Sequence, residues 1–222
     1  MHIPARFNGP PGSGNGGWSA GAFAVAAGAG TGGAPFQVTL RVPPPLDTEL
    51  TRSGGTVLAP DGTLVAEVEA GGDAGEPVPP VPVERARAAA TAFPGFTAHP
   101  FPTCYVCGPE RPDGLRLFPG GLPDGRTAAP WSVPADVTVE TMWAALDCPG
   151  GWSALHDGRT YLLGRITAAV DAVPPPGASC VVVGRLDAMV GRKATTSSTV
   201  YSADGTPLAT ARGTWIAPAP LP

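Results

Sequence analysis

The chain has 222 residues, a formal net charge of −4, 43% hydrophobic residues, 31 glycines and 29 prolines. That length allows one large domain or two small ones, with a sizeable core. The acidic balance and the lack of a basic run argue against nucleic acid as a partner. No apolar stretch is long enough to span a bilayer, so no membrane partner is expected. Gly and Pro exceed a quarter of the residues, which would suggest disorder, but clean alternating segments run through the chain. Ala20 to Gly30, behind Arg6, could pass for a signal-peptide core but holds too much Gly and Ala. The 4 cysteines are too few for a disulfide scaffold, and the expected compartment is the reducing cytoplasm.

In chain order, Gly16 to Ala27 is a helix candidate rich in Ala, with Trp18, Ala22 and Val25 on one face. Phe36 to Val42 alternates apolar and polar residues as a half-buried strand, stopped by Pro43 to Pro45. Thr56 to Leu58, the Asp61-Gly62 turn and Thr63 to Val68 form a hairpin. Gly71 to Pro82 reads as a flexible linker, and Glu84 to Ala92 as a short joining helix. Leu115 to Phe118 opens a second unit. Val139 to Asp147 is a helix with Met142, Trp143 and Leu146 at helical spacing, capped by Thr138 or Asp136. Cys180 to Val183 and Leu208 to Trp215 are strands.

The second half repeats the order of the first. Val173 precedes Pro174 to Pro176 as Val42 precedes its three prolines, and Val200 to Thr206 mirrors Val57 to Thr63 around Asp204-Gly205. The proline runs lie 131 residues apart and the Asp-Gly turns 143 apart, so the second copy carries extra residues near Gly184 to Thr195. A shared order of stop, strand and hairpin indicates duplication. The expected division is a first repeat over 1–72, a linker with a short helix over 73–103, and a second repeat over 104–222.

Cys104-Tyr105-Val106-Cys107-Gly108-Pro109, then Pro112, Gly114-Leu115 and Leu117, resembles the leader of the PaaI-type hotdog thioesterases. Ala145-Leu146-Asp147 resembles the end of that family's central helix, and Gly191-Arg192-Lys193 resembles the start of one of its strands. The resemblance covers nearly all of the second half and, more thinly, the first. It implies an α+β fold, a double hotdog with two central helices each wrapped by an antiparallel sheet. The family's His-Gly-Gly followed by Asp is split here. Asn15-Gly16-Gly17 stands in the first half with Ala24 at the acid position, and Asp147 in the second half behind Thr138-Val139-Glu140. One whole site would then form across the junction, with Gly17 near Asp147 and a pseudo-two-fold relating about residues 5–70 to 115–217. A second alignment is open, because Gly-Gly-Trp-Ser-Ala occurs at both Gly16 to Ala20 and Gly150 to Ala154, 134 residues apart.

The activity implied is hydrolysis of a small or medium acyl-CoA-type thioester, without metal or other cofactor. Glycines at a helix start expose unpaired N–H groups, so the Gly16 and Gly17 amides would polarise the thioester carbonyl. Asn15 would orient substrate or water, and Asp147 would activate water or attack directly. Pro149 is expected to end or kink the helix just after Asp147, leaving the carboxylate at the negative dipole end among Trp143, Leu146 and Trp152, with a raised pKa. Trp18 and Trp143 would contact substrate, and Arg192 and Lys193 would meet coenzyme A phosphates. Cys104 and Cys107 invite a zinc reading, but Cys148 and Cys180 are not a second pair and the 3 histidines are scattered. All four cysteines are therefore expected reduced and metal-free. No Gly-x-Ser-x-Gly elbow supports a serine triad. His156, Asp157 and Asp171 read as loop or strand-surface residues. The competing reading is a non-catalytic binder of acyl-CoA or another apolar small molecule, and a homodimer of double hotdogs is an open assembly.

Overall fold

The computed structural model describes residues 1–155 and 159–218. His156 and Asp157 lie outside the described residues. The chain forms α1 (Gly16–Ala26), β1 (Phe36–Leu40), β2 (Thr51–Ser53), β3 (Thr56–Leu58), β4 (Leu64–Ala70) and α2 (Val83–Ala90). There follow β5 (Gly120–Gly121), β6 (Thr127–Ser132), α3 (Val139–Ser153), β7 (Leu162–Val170), β8 (Ser179–Val190), β9 (Lys193–Ser202) and β10 (Pro207–Ile216). Leu115 to Phe118, expected to open the second unit, forms no strand.

All strands join one antiparallel sheet in the order β2-β3-β4-β1-β7-β10-β9-β8-β6-β5. The halves meet where β1 pairs with β7, with Val38 opposite Ile166. The order β3-β4-β1 on one side mirrors β9-β10-β7 on the other, as a pseudo-two-fold requires. The fold is a double hotdog. The second copy's extra residues lengthen β8 and β9 around the turn at Gly191, whose φ of 60° suits glycine.

The two helices start after equivalent caps. Asn15 accepts the Trp18 N–H at 2.9 Å. Thr138 accepts the Thr141 N–H while the Thr141 hydroxyl accepts that of Thr138, a reciprocal capping box. Asp136 does not cap; it pairs with Arg6. The caps align Asn15 with Thr138 and settle the register in favour of the family-like alignment. The repeated Gly-Gly-Trp-Ser-Ala opens α1 but closes α3, so it is not an equivalent pair. Thr138→Ala is expected to cost about 0.5–2 kcal/mol of stability in urea unfolding; no loss would show that the box does not cap.

One expectation about the helices fails. α3 does not end near Asp147 but runs through Pro149 to Ser153. Packing overrides the proline: its carbonyl accepts the Thr127 hydroxyl at 2.7 Å, and the Ser153 hydroxyl donates to Gly150 O at 2.6 Å. On α1, Trp18, Ala22 and Val25 are half-exposed, while Gly17, Ala20, Gly21 and Ala24 are buried. Small residues win that face because α3 lies directly against it. A Cβ on Gly17 would sit 2.5 Å from Asp147 Cβ, and one on Gly21 would sit 2.8 Å from Trp143 Cβ.

A single core cluster crosses both halves, through Phe23, Val38, Trp131, Met142, Trp143 and Ile166. Alternation along β8 divides its side chains between two layers. Val182 joins that core, while Val181 and Val183 face the other side, under Ala86 and Ala89 of α2. The segment expected as a flexible linker is pinned on the same apolar face. Val78 and Val81 are buried there, Val78 N–H donates to the Thr199 hydroxyl at 2.9 Å, and its carbonyl accepts the Tyr201 hydroxyl. No helix among the described residues is long and apolar enough to cross a membrane.

Candidate active site

Asp147 stands in the middle of α3, facing the start of α1, and is only 3% exposed. Its Oδ2 accepts the Asn15 side-chain amide at 2.9 Å and the Gly17 backbone N–H at 3.0 Å. Its Oδ1 has no partner. Burial pushes the carboxyl pKa up to about 7, against the lowering effect of the Gly17 amide; the Cys104 sulfur adds to the rise and the Asn15 amide opposes it. The expected cause, the negative end of the helix dipole, does not apply, because the helix continues for more than a turn beyond Asp147.

Asp147 opens onto a cavity of about 450 Å³. Its walls come from the Gly9 to Gly16 loop, the end of β1, the leader around Phe101 to Cys107, and the Trp152 and Trp215 rings. The lining is largely apolar, and its polar side chains include Asp147, Asn15, His99, Ser13, Arg41 and Tyr161. Cys104, Cys107 and Cys148 also line it, their sulfurs all within 4.8 Å of one another. The sulfurs are unbridged. Hydrogen bonds from Cys107 and Cys148 draw the Cys104 pKa well below the ordinary thiol value, while burial raises that of Cys107.

Asn15, Gly16, Gly17 and Asp147 thus come together from the two halves, though with changed duties. The Gly17 amide is already engaged by Asp147, so it does not offer itself to a substrate carbonyl. Asn15 is spent on the helix cap and on Asp147. Gly16 is the amide at the helix start that neither residue takes up, and it lines the cavity. Trp18 and Trp143 do not line it. Trp18 stacks on Phe7 with ring centroids 3.8 Å apart, and Trp143 is buried in the core. Arg192 is also away from it, donating to the Ala217 carbonyl at 3.0 Å. Lys193 lines a second cavity with Arg41 and Arg165; Leu40, Arg41, Gly164 and Ile216 are common to both cavities.

The sequence reading missed His99, Trp215 and Tyr161, which line the cavity from three separate segments. Trp152 had a signal in the second Gly-Gly-Trp, but only an α3 that passes through Pro149 brings it to the cavity. Its indole N–H donates to the Cys107 sulfur at 3.4 Å. No local pattern marks the others.

An α+β double hotdog with a buried carboxylate on a central helix, opening onto an apolar cavity, is the class that fold and site define. No protein-family model matches the chain, and no curated protein matches it in sequence. Solved structures do match in fold. A candidate thioesterase from Novosphingobium aromaticivorans is 19% identical, with a TM-score of 0.65 over 99% of this chain and 94% of that one. A conserved protein of unknown function with a hot dog fold from Alicyclobacillus acidocaldarius is 15% identical, with a TM-score of 0.59 over 99% and 92%. The TesB protein of Mycobacterium avium subsp. paratuberculosis is 14% identical, with a TM-score of 0.59 over 99% and 91%. At these identities the likeness is one of fold, and it runs over the whole chain.

Proposed function

We propose that the protein hydrolyses a small or medium acyl thioester of the coenzyme A type, with Asp147 as the catalytic carboxylate. The observation that carries this reading is the asymmetric anchoring of Asp147. Two donors hold Oδ2, while Oδ1, itself buried, is left unpartnered in a residue that lines the cavity. A carboxylate held in this way suits general-base work, because its orientation is set before substrate arrives.

In this mechanism Asp147 takes a proton from water as the water oxygen bonds the thioester carbonyl carbon. The carbonyl oxygen gathers negative charge, for which the Gly16 N–H is the available backbone donor. Collapse breaks the C–S bond, and the proton returns from Asp147 to the leaving sulfur. Asn15 and the Gly17 amide are positioning groups. The apolar walls suit an acyl chain, and Arg41, Arg165 and Lys193 beside the cavity suit phosphates.

The competing reading is a binder without turnover, favoured by the engagement of the Gly17 amide, which removes one oxyanion donor. Release of free thiol from a panel of acyl-CoA thioesters, with binding followed by calorimetry, separates the two. Hydrolysis of at least one short or medium acyl-CoA is expected. Saturable binding across the panel with no thiol release would leave the binder in front.

A further inference from the structure

We infer that Cys104, Cys107 and Cys148 form a site for one thiophilic d10 cation, Zn²⁺ or Cu⁺. This goes beyond the hydrolase reading and does not depend on it. Cys148 is far from the Cys104/Cys107 pair in sequence, yet α3 carries it to the leader, and all three sulfurs lie within 4.8 Å of one another. A Zn–S bond of about 2.3 Å asks for sulfurs roughly 4 Å apart. The arrangement needs only a small contraction to close on an ion.

Buried cysteines often serve as small apolar fillers, but the surroundings of these three do not suit that duty. N–H groups point at two of the three sulfurs, those of Cys104 and Cys107. The Cys107 sulfur receives the Trp152 indole N–H at 3.4 Å and lies 3.3 Å from His99 Nε2. The Cys104 sulfur lies 3.8 Å from the Asn15 Nδ2. The turn itself is tight: a Cβ on Gly108 would lie 2.5 Å from Cys104 N, which is why Cys-x-x-Cys is followed by glycine here.

His99 is a partner of the site rather than a fourth ligand. Its Nδ1 accepts the Phe101 N–H at 2.9 Å, so the ring proton sits on Nε2 and points at the Cys107 sulfur. Three sulfurs then hold the ion, and a fourth position would face the cavity that all three cysteines line. Each thiol gives its proton to solvent as its sulfur bonds the ion, and no electron moves. Three thiolates select soft d10 ions over Mg²⁺ or Ca²⁺. The fourth cysteine, Cys180 on β8, lies outside the cluster and serves as the control.

The test uses the full chain, reduced, stripped with chelator and titrated anaerobically with Zn²⁺, with Cu⁺ and with Cd²⁺ as a spectroscopic probe. One equivalent is expected, with a thiolate-to-cadmium charge-transfer band whose intensity corresponds to three thiolates. The Zn²⁺ and Cu⁺ arms, with elemental analysis of protein grown with each metal, show which ion the site prefers. Cys148→Ser should weaken binding by more than the ~10–100-fold typical of losing an outer partner, and Cys180→Ser should leave it unchanged. Should Cys148→Ser fail to fold, the band intensity of the unaltered chain still counts the thiolates. A folded, reduced chain that takes up none of the three ions stoichiometrically, or binding that survives in folded Cys148→Ser, overturns the inference.

Discussion

Asp147→Asn is expected to lower thioester hydrolysis by about 10²–10⁴-fold, the usual scale for loss of a general acid or base. The substitution keeps the shape of the side chain. A carboxamide oxygen in place of Oδ2 still accepts the Asn15 and Gly17 N–H groups, so the α1–α3 junction is preserved. What disappears is the oxygen that could take a proton, since an NH₂ group stands where Oδ1 was. KM should change little, because the lost interaction acts in the transition state. Stability should hold or rise, since a buried amide costs less than a buried carboxylate. Asp171 is exposed, and its replacement by Asn should alter neither rate nor stability. Steady-state kinetics on protein checked by circular dichroism decides the matter. Full activity in a folded Asp147→Asn chain would end this mechanism and leave the binding reading in front.

The parts of the fold legible in the sequence are those set by neighbouring residues. The alternation of Phe36 to Leu40, the Asp61-Gly62 and Asp204-Gly205 turns, and the proline stops announce strands and hairpins because their causes are local. Duplication was legible for the same reason, as a repeated order of local signals. The extra residues of the second copy emerge as the long β8 and β9. Local rules misled where packing opposes them. Pro149 reads as a helix stop, but the Thr127 and Ser153 hydroxyls and close contact with the sheet hold α3 together around it. The neighbour of α1 is another helix at close range, so the small Gly17, Ala20 and Gly21 turn inward, which no local pattern marks. The 73–82 segment looks like a linker by composition, yet two valines in it cover an apolar strip of the sheet.

The candidate site divides along the same line. That Asn15-Gly16-Gly17 and Asp147 meet could be expected from the split motif, and they meet. Their hydrogen bonds could not be read, because they depend on which of several donors lies within reach of one carboxylate oxygen. The sulfur cluster was equally hidden. Cys-x-x-Cys is visible as a pair, but the third sulfur comes from a helix whose rotation about its axis only the packed structure reveals.

Gly17→Ala is expected to lose stability and activity together. In an unconstrained helix this change would stabilise by about 0.5–1 kcal/mol, because alanine is the better helix former. Here the new methyl would stand 2.5 Å from Asp147 Cβ and 2.7 Å from the Trp143 carbonyl oxygen. Neither atom can swing aside, one being the root of a side chain and the other backbone, so α1 and α3 must part. Overpacking of this kind typically costs about 1–3 kcal/mol, which outweighs the propensity gain. The same separation stretches the Gly17 N–H to Oδ2 bond and shifts Asp147, and a displacement near 1 Å can cost about 10²-fold in rate. Gly21→Ala is the matched control. Its methyl would press on Trp143 Cβ at 2.8 Å, one turn away from the carboxylate, so it should lose stability while the rate per folded molecule stays closer to that of the unaltered chain. Urea unfolding and active-site-normalised kinetics on both variants provide the comparison. A Gly17→Ala chain that is more stable and fully active would mean that the helices are not held at this distance, and that the contact does not position Asp147.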